Sequence, residues 1–365
     1  MENNIFTFAT SELSQDAFIS WCLNWINYPE KPLYALAEQL LLKMGEDKDS
    51  FRDGIIIERQ IKHVDVLVVI KGKNRAIIIE DKVYTSEHSN QIARYEKEIR
   101  SLPDDWKHGL GITNDVEIRT VYLKTGHMYD YDEMVKADVK INGPDFLSML
   151  MPYNGQGEII DSFIEFLESR IQWYKDHGDF RNVEDVKYQT IAQTNLMRAI
   201  FPRKKWDGES DLYKVYDGTN MSGTPWTEMV ILNEQVKDMV GFGDGDFSVF
   251  WRIDHDSAGV YVSLRLYDPY DSKNQGEMDS HMALYDKVRE ITNTLLEEHE
   301  KEFSFDLKDV KCGYTAKYKE AAVFHWHIEE VLKNWDSTGK IFIDQINKVT
   351  EYFLEAMEEE KRNDL

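Results

Sequence analysis

Apolar and polar residues alternate along the chain in blocks that predict a strand-rich first half framed by helices. The runs Gly54 to Ile61, Val64 to Ile70 and Ala76 to Lys82 are short and rich in Ile and Val, which predicts three strands. The polar, glycine-containing stretch Lys71-Gly72-Lys73-Asn74-Arg75 makes the last two a hairpin. With its start at Ile61, the middle run puts His63, Asp65 and Leu67 on one face; in the next, Glu80 and Lys82 share a face. Ahead of the strands, a helix is predicted from about Glu12 to Ile26, capped by Thr10 or Ser11. An amphipathic helix follows from about Pro32 to Met44. Behind them come a loop Tyr84 to Ser89, a helix of about Asn90 to Ser101, a strand Glu117 to Lys124, and helices at Asp145 to Leu150 and Ile159 to Tyr174.

The pattern changes near His177-Gly178-Asp179, where a long helix meets a glycine. A boundary there divides the chain into residues 1–178 and 179–365. In the second part, Phe247 to Ile253 and Gly259 to Leu266 alternate around Asp254 to Ala258, which predicts an antiparallel hairpin. Met278 to Phe303 and Ile341 to Lys361 read as helices. This half is an α+β region without an assignable motif, and the chain shows no internal repeat.

Composition narrows the picture. With 365 residues, 42% hydrophobic and 12% aromatic, the chain can bury a large core and is not disordered. No apolar run reaches the length of a bilayer span, and Met1-Glu2-Asn3-Asn4 is not followed by a secretory pattern, so the expected location is cytoplasmic, without membrane. Cys22 and Cys312 are expected to be two buried thiols. The net charge is −24, and residues 1–180 already hold 31 acidic against 20 basic side chains, so the acidity is spread through the chain. Such a protein should bind long duplex nucleic acid weakly at physiological salt, which favours a narrow substrate or a recruiting partner. The tight basic cluster Arg203-Lys204-Lys205 is either a solvated turn or a phosphate contact.

The candidate chemistry lies at the ends of the two central strands. A charged side chain within an apolar strand is costly unless it is paired or binds a metal, and Asp65, Glu80 and Lys82 converge there. Hard oxygen ligands beside a lysine suit Mg²⁺ that activates water for attack on a phosphodiester. A cross-strand salt bridge at a sheet edge is the structural alternative.

Asp65 followed by Glu80-Asp81-Lys82 on the next strand resembles the PD-(D/E)XK nuclease superfamily, with Val64 where that motif's proline stands. The segment Thr10-Ser11-Glu12 resembles the helix start that supplies a further Glu, and Gln91-Ile92-Ala93-Arg94-Tyr95 is similar to the Gln-x-x-x-Tyr element of the RecB-like branch. The resemblance implies an α/β fold: a restriction-endonuclease-like core of helix, three strands, helix and strand, its mixed sheet flanked by helices, with a C-terminal α+β region. It implies a nuclease acting on nucleic acid, DNA in the first place, with Mg²⁺ or Mn²⁺, and a role in defence against foreign DNA. It also implies roles: Asp65, Glu80 and Glu12 as metal ligands, the main-chain carbonyl of Asp81 as a further ligand, Lys82 at the attacking water, and Gln91 and Tyr95 positioning substrate.

Alternatives stand beside several of these residues. Glu12 is also a favourable acid in a helix's first turn, and Asp16, one turn on, competes for its role. Glu58 is an exposed strand residue or a supporting acid. His63 is a packing residue or a metal or phosphate contact, and Tyr95 is a core aromatic in the bland reading. Tyr314, Tyr318, Phe324, Trp326 and Trp335 stack on bases or build a core and interface. A non-catalytic protein using the nuclease fold as a scaffold is the second function class. The C-terminal half is where a homodimer contact or protein partner is expected.

Overall fold

The computed structural model describes residues 4–85, 90–129, 132–133, 135–202, 214–219, 223–231, 247–271, 273–303 and 319–363. The chain divides into two compact units, Met1–Lys175 and Asp176–Leu365. Ser86, Glu87, His88 and Ser89 of the expected loop lie outside the described residues, as do Arg203, Lys204, Lys205, Cys312, Tyr314 and Tyr318.

The first unit is built on a five-stranded sheet in the order β1 (Ile55–Ile61), β2 (Val64–Ile70), β3 (Arg75–Lys82), β4 (Glu117–Lys124) and β5 (Val139–Asn142). β1, β2 and β3 pair antiparallel, whereas β4 and β5 run parallel to β3, so the sheet is mixed. The apolar runs are explained by burial on both faces, as expected where parallel strands are covered by helices. On one face Val66, Val68, Ile77, Ile79, Val121 and Leu123 form a core with residues of α1 (Glu12–Asn24), α2 (Tyr34–Lys43), α5 (Gly143–Leu150) and α6 (Glu158–Asp176). On the other, Leu67, Val69, Ala76 and Ile78 meet Tyr95 and Ile99 of α3 (Gln91–Arg100) and Leu110 of α4 (Asp104–Leu110).

One expectation is corrected. His63 does not share a strand face with Asp65: β1 and β2 are joined by the two-residue turn Lys62-His63, both with positive φ (50° and 68°). This is the backbone of a primed hairpin turn, which favours Asn and Gly, so Lys and His there give no sequence signal. The fold is nevertheless the α/β, restriction-endonuclease-like core with a mixed sheet and flanking helices, followed by an α+β region.

The second unit has its own antiparallel sheet, β10-β9-β8-β7-β6, of β6 (Lys214–Thr219), β7 (Pro225–Val230), β8 (Ser248–Asp256), β9 (Gly259–Tyr267) and β10 (Glu320–His327). Its apolar face, including Trp251, Val262 and Leu264, packs on α7 (Thr190–Ile200), α8 (Gln275–Glu298) and α9 (Trp335–Asn363). The hairpin expected in this unit is present, but its strands extend to Asp256, which leaves only Ser257 and Ala258 as the turn. The helix expected to run to Phe303 ends at Glu298 and is followed by a short 3-10 turn.

Candidate active site

The register Val66↔Ile79, carried one residue further, sets Asp65 opposite Glu80 at the end of the β2–β3 ladder. Both carboxylates point to the α3 face, and Asp65 Oδ2 accepts the Asp81 N–H at 3.0 Å. Glu80 is fully buried. Its partner is Lys82, whose Nζ lies 2.5 Å from Glu80 Oε1 in a buried ion pair. Burial first, and then Asp65, push the Glu80 carboxyl up to about 7 despite the opposing effect of Lys82. Asp65 is also raised, mainly by burial. The Lys82 ammonium is held up by Glu80, Asp65 and Glu12, which together outweigh burial.

Glu12 is the first residue of α1, with Ser11 as N-cap. Its Oε2 lies 3.9 Å from Lys82 Nζ, while Oε1 accepts the Thr85 hydroxyl at 2.9 Å and the Val83 N–H at 3.3 Å. The helix start is thereby tied to the chain leaving β3. Asp16, one turn later, is buried and accepts from Gln60 Nε2 at 2.9 Å; burial and then Asp65 raise it to about 6. Gln60 also reaches Asp65 Oδ1 at 3.4 Å, so one amide spans both acids. Asp16 thus stands beside the cluster together with Glu12, rather than in place of it.

The Asp81 side chain points to the α1 face, as alternation requires, where Gln15 Nε2 donates to Asp81 Oδ1. Burial and Asp16 hold the Asp81 carboxyl well above the usual carboxylate range. Gln15 in turn accepts from Thr125 Oγ1. Gln91 Nε2 donates to the Tyr95 hydroxyl at 3.0 Å, and the phenol is raised by burial and then by the charges of Glu80 and Asp65. Glu58 is exposed, opposite Leu67, and has no described bond to the cluster.

A neighbouring pair was not anticipated from the sequence. In the parallel ladder Glu80 pairs with Tyr122 and Lys82 with Lys124. Buried Lys124 reaches Asp132 Oδ2 at 2.6 Å, and the Tyr122 hydroxyl donates to Asp132 Oδ1 at 2.5 Å. The signal was present in Val121-Tyr122-Leu123-Lys124, an apolar run ending in a cation.

Three carboxylates, Glu12, Asp65 and Glu80, therefore surround Lys82, with Asp16 beside Asp65 and the Asp81 side chain on the opposite face. The buried Glu80 carboxylate with Asp65 opposite is a hard-oxygen donor set whose chemistry fits a divalent cation such as Mg²⁺ or Mn²⁺. An acidic cluster with a strand lysine at the end of a mixed sheet is the arrangement of a nuclease-type core. A family model of the PD-(D/E)XK nuclease superfamily matches residues 3–194, more than half of the chain, and the protein belongs to that superfamily. No curated protein and no solved structure matches it. Among the described residues, no helix is long and apolar enough to cross a membrane.

Proposed function

We propose that the protein is a metal-dependent nuclease that hydrolyses phosphodiester bonds, with DNA as the first candidate substrate. The observation that carries this reading is the buried Glu80 carboxylate facing Asp65, with one ammonium, Lys82, set among three acids, a charge imbalance that a divalent cation would relieve. Asp65 and Glu80 would hold Mg²⁺ or Mn²⁺, with Glu12 and the main-chain carbonyl of Asp81 completing its protein ligands. Once bound, the ion supplies Lewis acidity toward the scissile phosphate and lowers the pKa of the attacking water.

The chain's own residues do the rest. Lys82, anchored between Glu80 and Glu12, sets a positive charge and a proton donor where the phosphate's negative charge grows. Asp65, fixed by the Asp81 N–H, is preorganised and needs no rearrangement to accept a ligand. Gln91 and Tyr95, joined to one another, position substrate beside the cluster. Asp16 and Gln60 keep α1 and the β1–β2 turn in register with Asp65. We assign the chemistry to the nuclease-like domain, residues 1–178, and recruitment of a substrate or partner, homodimerisation included, to residues 179–365.

The net charge of −24 favours a second reading, a scaffold that binds a partner without cleaving it. Incubation of purified protein with linear and circular, single- and double-stranded DNA and RNA, with Mg²⁺, Mn²⁺ or EDTA, separates the two. The nuclease yields products that disappear in EDTA. Absence of cleavage across the panel with either metal supports the scaffold.

A further inference from the structure

The polar face of the second unit's sheet carries a different donor set. His325 and His327 lie two apart near the end of β10 and share a face, with partners Ser263 and Tyr261 on β9. Asp256 closes β8, two residues beyond Asp254, which pairs with the same Tyr261. A carboxylate oxygen of Asp256 and a ring nitrogen of each histidine all lie within 4.8 Å of one another, the one such triad of His, Cys, Asp or Glu among the described residues.

The spacing of the two rings is informative. His325 Nε2 and His327 Nε2 are 3.3 Å apart. Two nitrogens on a tetrahedral zinc ion, at bonds of roughly 2.0–2.1 Å, stand roughly 3.3–3.4 Å apart. The set is also braced: the Tyr261 ring packs on His325 at 4.0 Å and His327 at 5.9 Å between centroids, and the Ala258 N–H fixes Asp256 Oδ1 at 2.7 Å. Along the same face, carboxylates nearer the middle are matched by cations, for Arg252 bonds Glu228, Asp254 and Glu320 and Arg265 reaches Glu320. Among the described residues, no lysine or arginine pairs with Asp256.

We propose that Asp256, His325 and His327 form a zinc site. Two imidazoles and one carboxylate are a borderline donor set that suits Zn²⁺ and rejects Mg²⁺, whereas the cluster around Asp65 and Glu80 is all oxygen and suits Mg²⁺. Three protein ligands leave a fourth tetrahedral position to water, and the exposure of Asp256 keeps that position open to solvent. The assignment does not depend on the nuclease reading.

The test uses the full chain, freed of any purification tag and stripped with chelator. Zn²⁺ is titrated calorimetrically in excess Mg²⁺, which occupies the oxygen site, and Co²⁺ serves as a visible-absorption probe of coordination. The expected result is one equivalent of Zn²⁺ bound despite Mg²⁺, with a tetrahedral Co²⁺ spectrum. Asp256→Asn, at an exposed position that leaves the fold undisturbed, and His327→Gln should each weaken Zn²⁺ by more than the roughly 10–100-fold lost with a supporting partner. Glu80→Gln should leave it unchanged. Wild-type affinity in both Asp256→Asn and His327→Gln, or loss of the equivalent in Glu80→Gln alone, overturns the site.

Discussion

Glu80 in the first unit and Glu228 in the second are both pushed up to about 7, each chiefly by burial, yet their surroundings differ. Glu228 sits in a matched network: Arg252 lies 3.2 Å from it, 3.1 Å from Asp254 and 3.0 Å from Glu320, and Arg265 adds a second cation. Glu80 shares the single cation Lys82 with two other carboxylates, Asp65 and Glu12. The second unit's network sets two cations against three or more acids, whereas the Glu80 cluster has one cation for three acids. Burial of acids alone does not mark a site; the ratio of acids to cations is what separates these two clusters.

That contrast yields predictions of opposite sign. The largest is kinetic. Lys82→Ala should lower cleavage by about 10³-fold, equivalent to about 4 kcal/mol of barrier, while calorimetric Mn²⁺ affinity is retained because an ammonium is not a ligand. Joint loss of both would instead make Lys82 a support for strand geometry. Next, Arg252→Met strands Glu228 and Asp254, leaving Glu320 to Arg265, and should cost roughly 3 kcal/mol in urea denaturation, since breaking a buried pair leaves uncompensated charge. A neutral result there erases the distinction between the two networks.

Glu80→Gln should do the reverse. It relieves repulsion with Asp65, so the metal-free protein should gain about 1–2 kcal/mol at pH 8. The pH dependence follows from the direction of the shift. The folded carboxyl near 7 holds a proton that the unfolded chain, at its ordinary 4.5, has released, so metal-free stability falls as pH rises through that window. Glu80→Gln removes this residue's share and flattens the curve, which a series of denaturation midpoints from pH 4.5 to 8 reads directly; an unchanged slope means that Glu80 titrates normally. Smallest is Gln91→Ala, which removes a donor to the Tyr95 hydroxyl and should slow cleavage by less than about tenfold, as one neutral hydrogen bond is worth about 1 kcal/mol.

Much of the first unit was readable because its central strands are buried on both faces, so Val64–Ile70 and the Ala76 to Ile79 stretch of β3 stand out as apolar runs. The facing of Asp65, Glu80 and Lys82 followed from alternation alone. What escaped was held by long-range contacts or special backbone. β5 has only four residues, with Ile141 alone fully buried, and shows no period. The Lys62-His63 turn takes positive φ without glycine. Gln15 is a polar residue in an otherwise ordinary helix until β3 brings Asp81 against it. In β10 the aromatics Phe324 and Trp326 drew attention, while the alternate positions His325 and His327 hold the metal-type donors. A His-x-His pair inside a strand was the available signal.

The central claim is that Asp65 and Glu80 form a catalytic metal centre, and cleavage by wild type and Asp65→Asn in Mg²⁺ at pH 8 tests it most directly. Asparagine keeps the shape and one oxygen but removes the charge that the cation needs. Wild type should release products from at least one nucleic acid of the panel, and Asp65→Asn should release none above the EDTA control. Equal product from the two proteins would contradict the account.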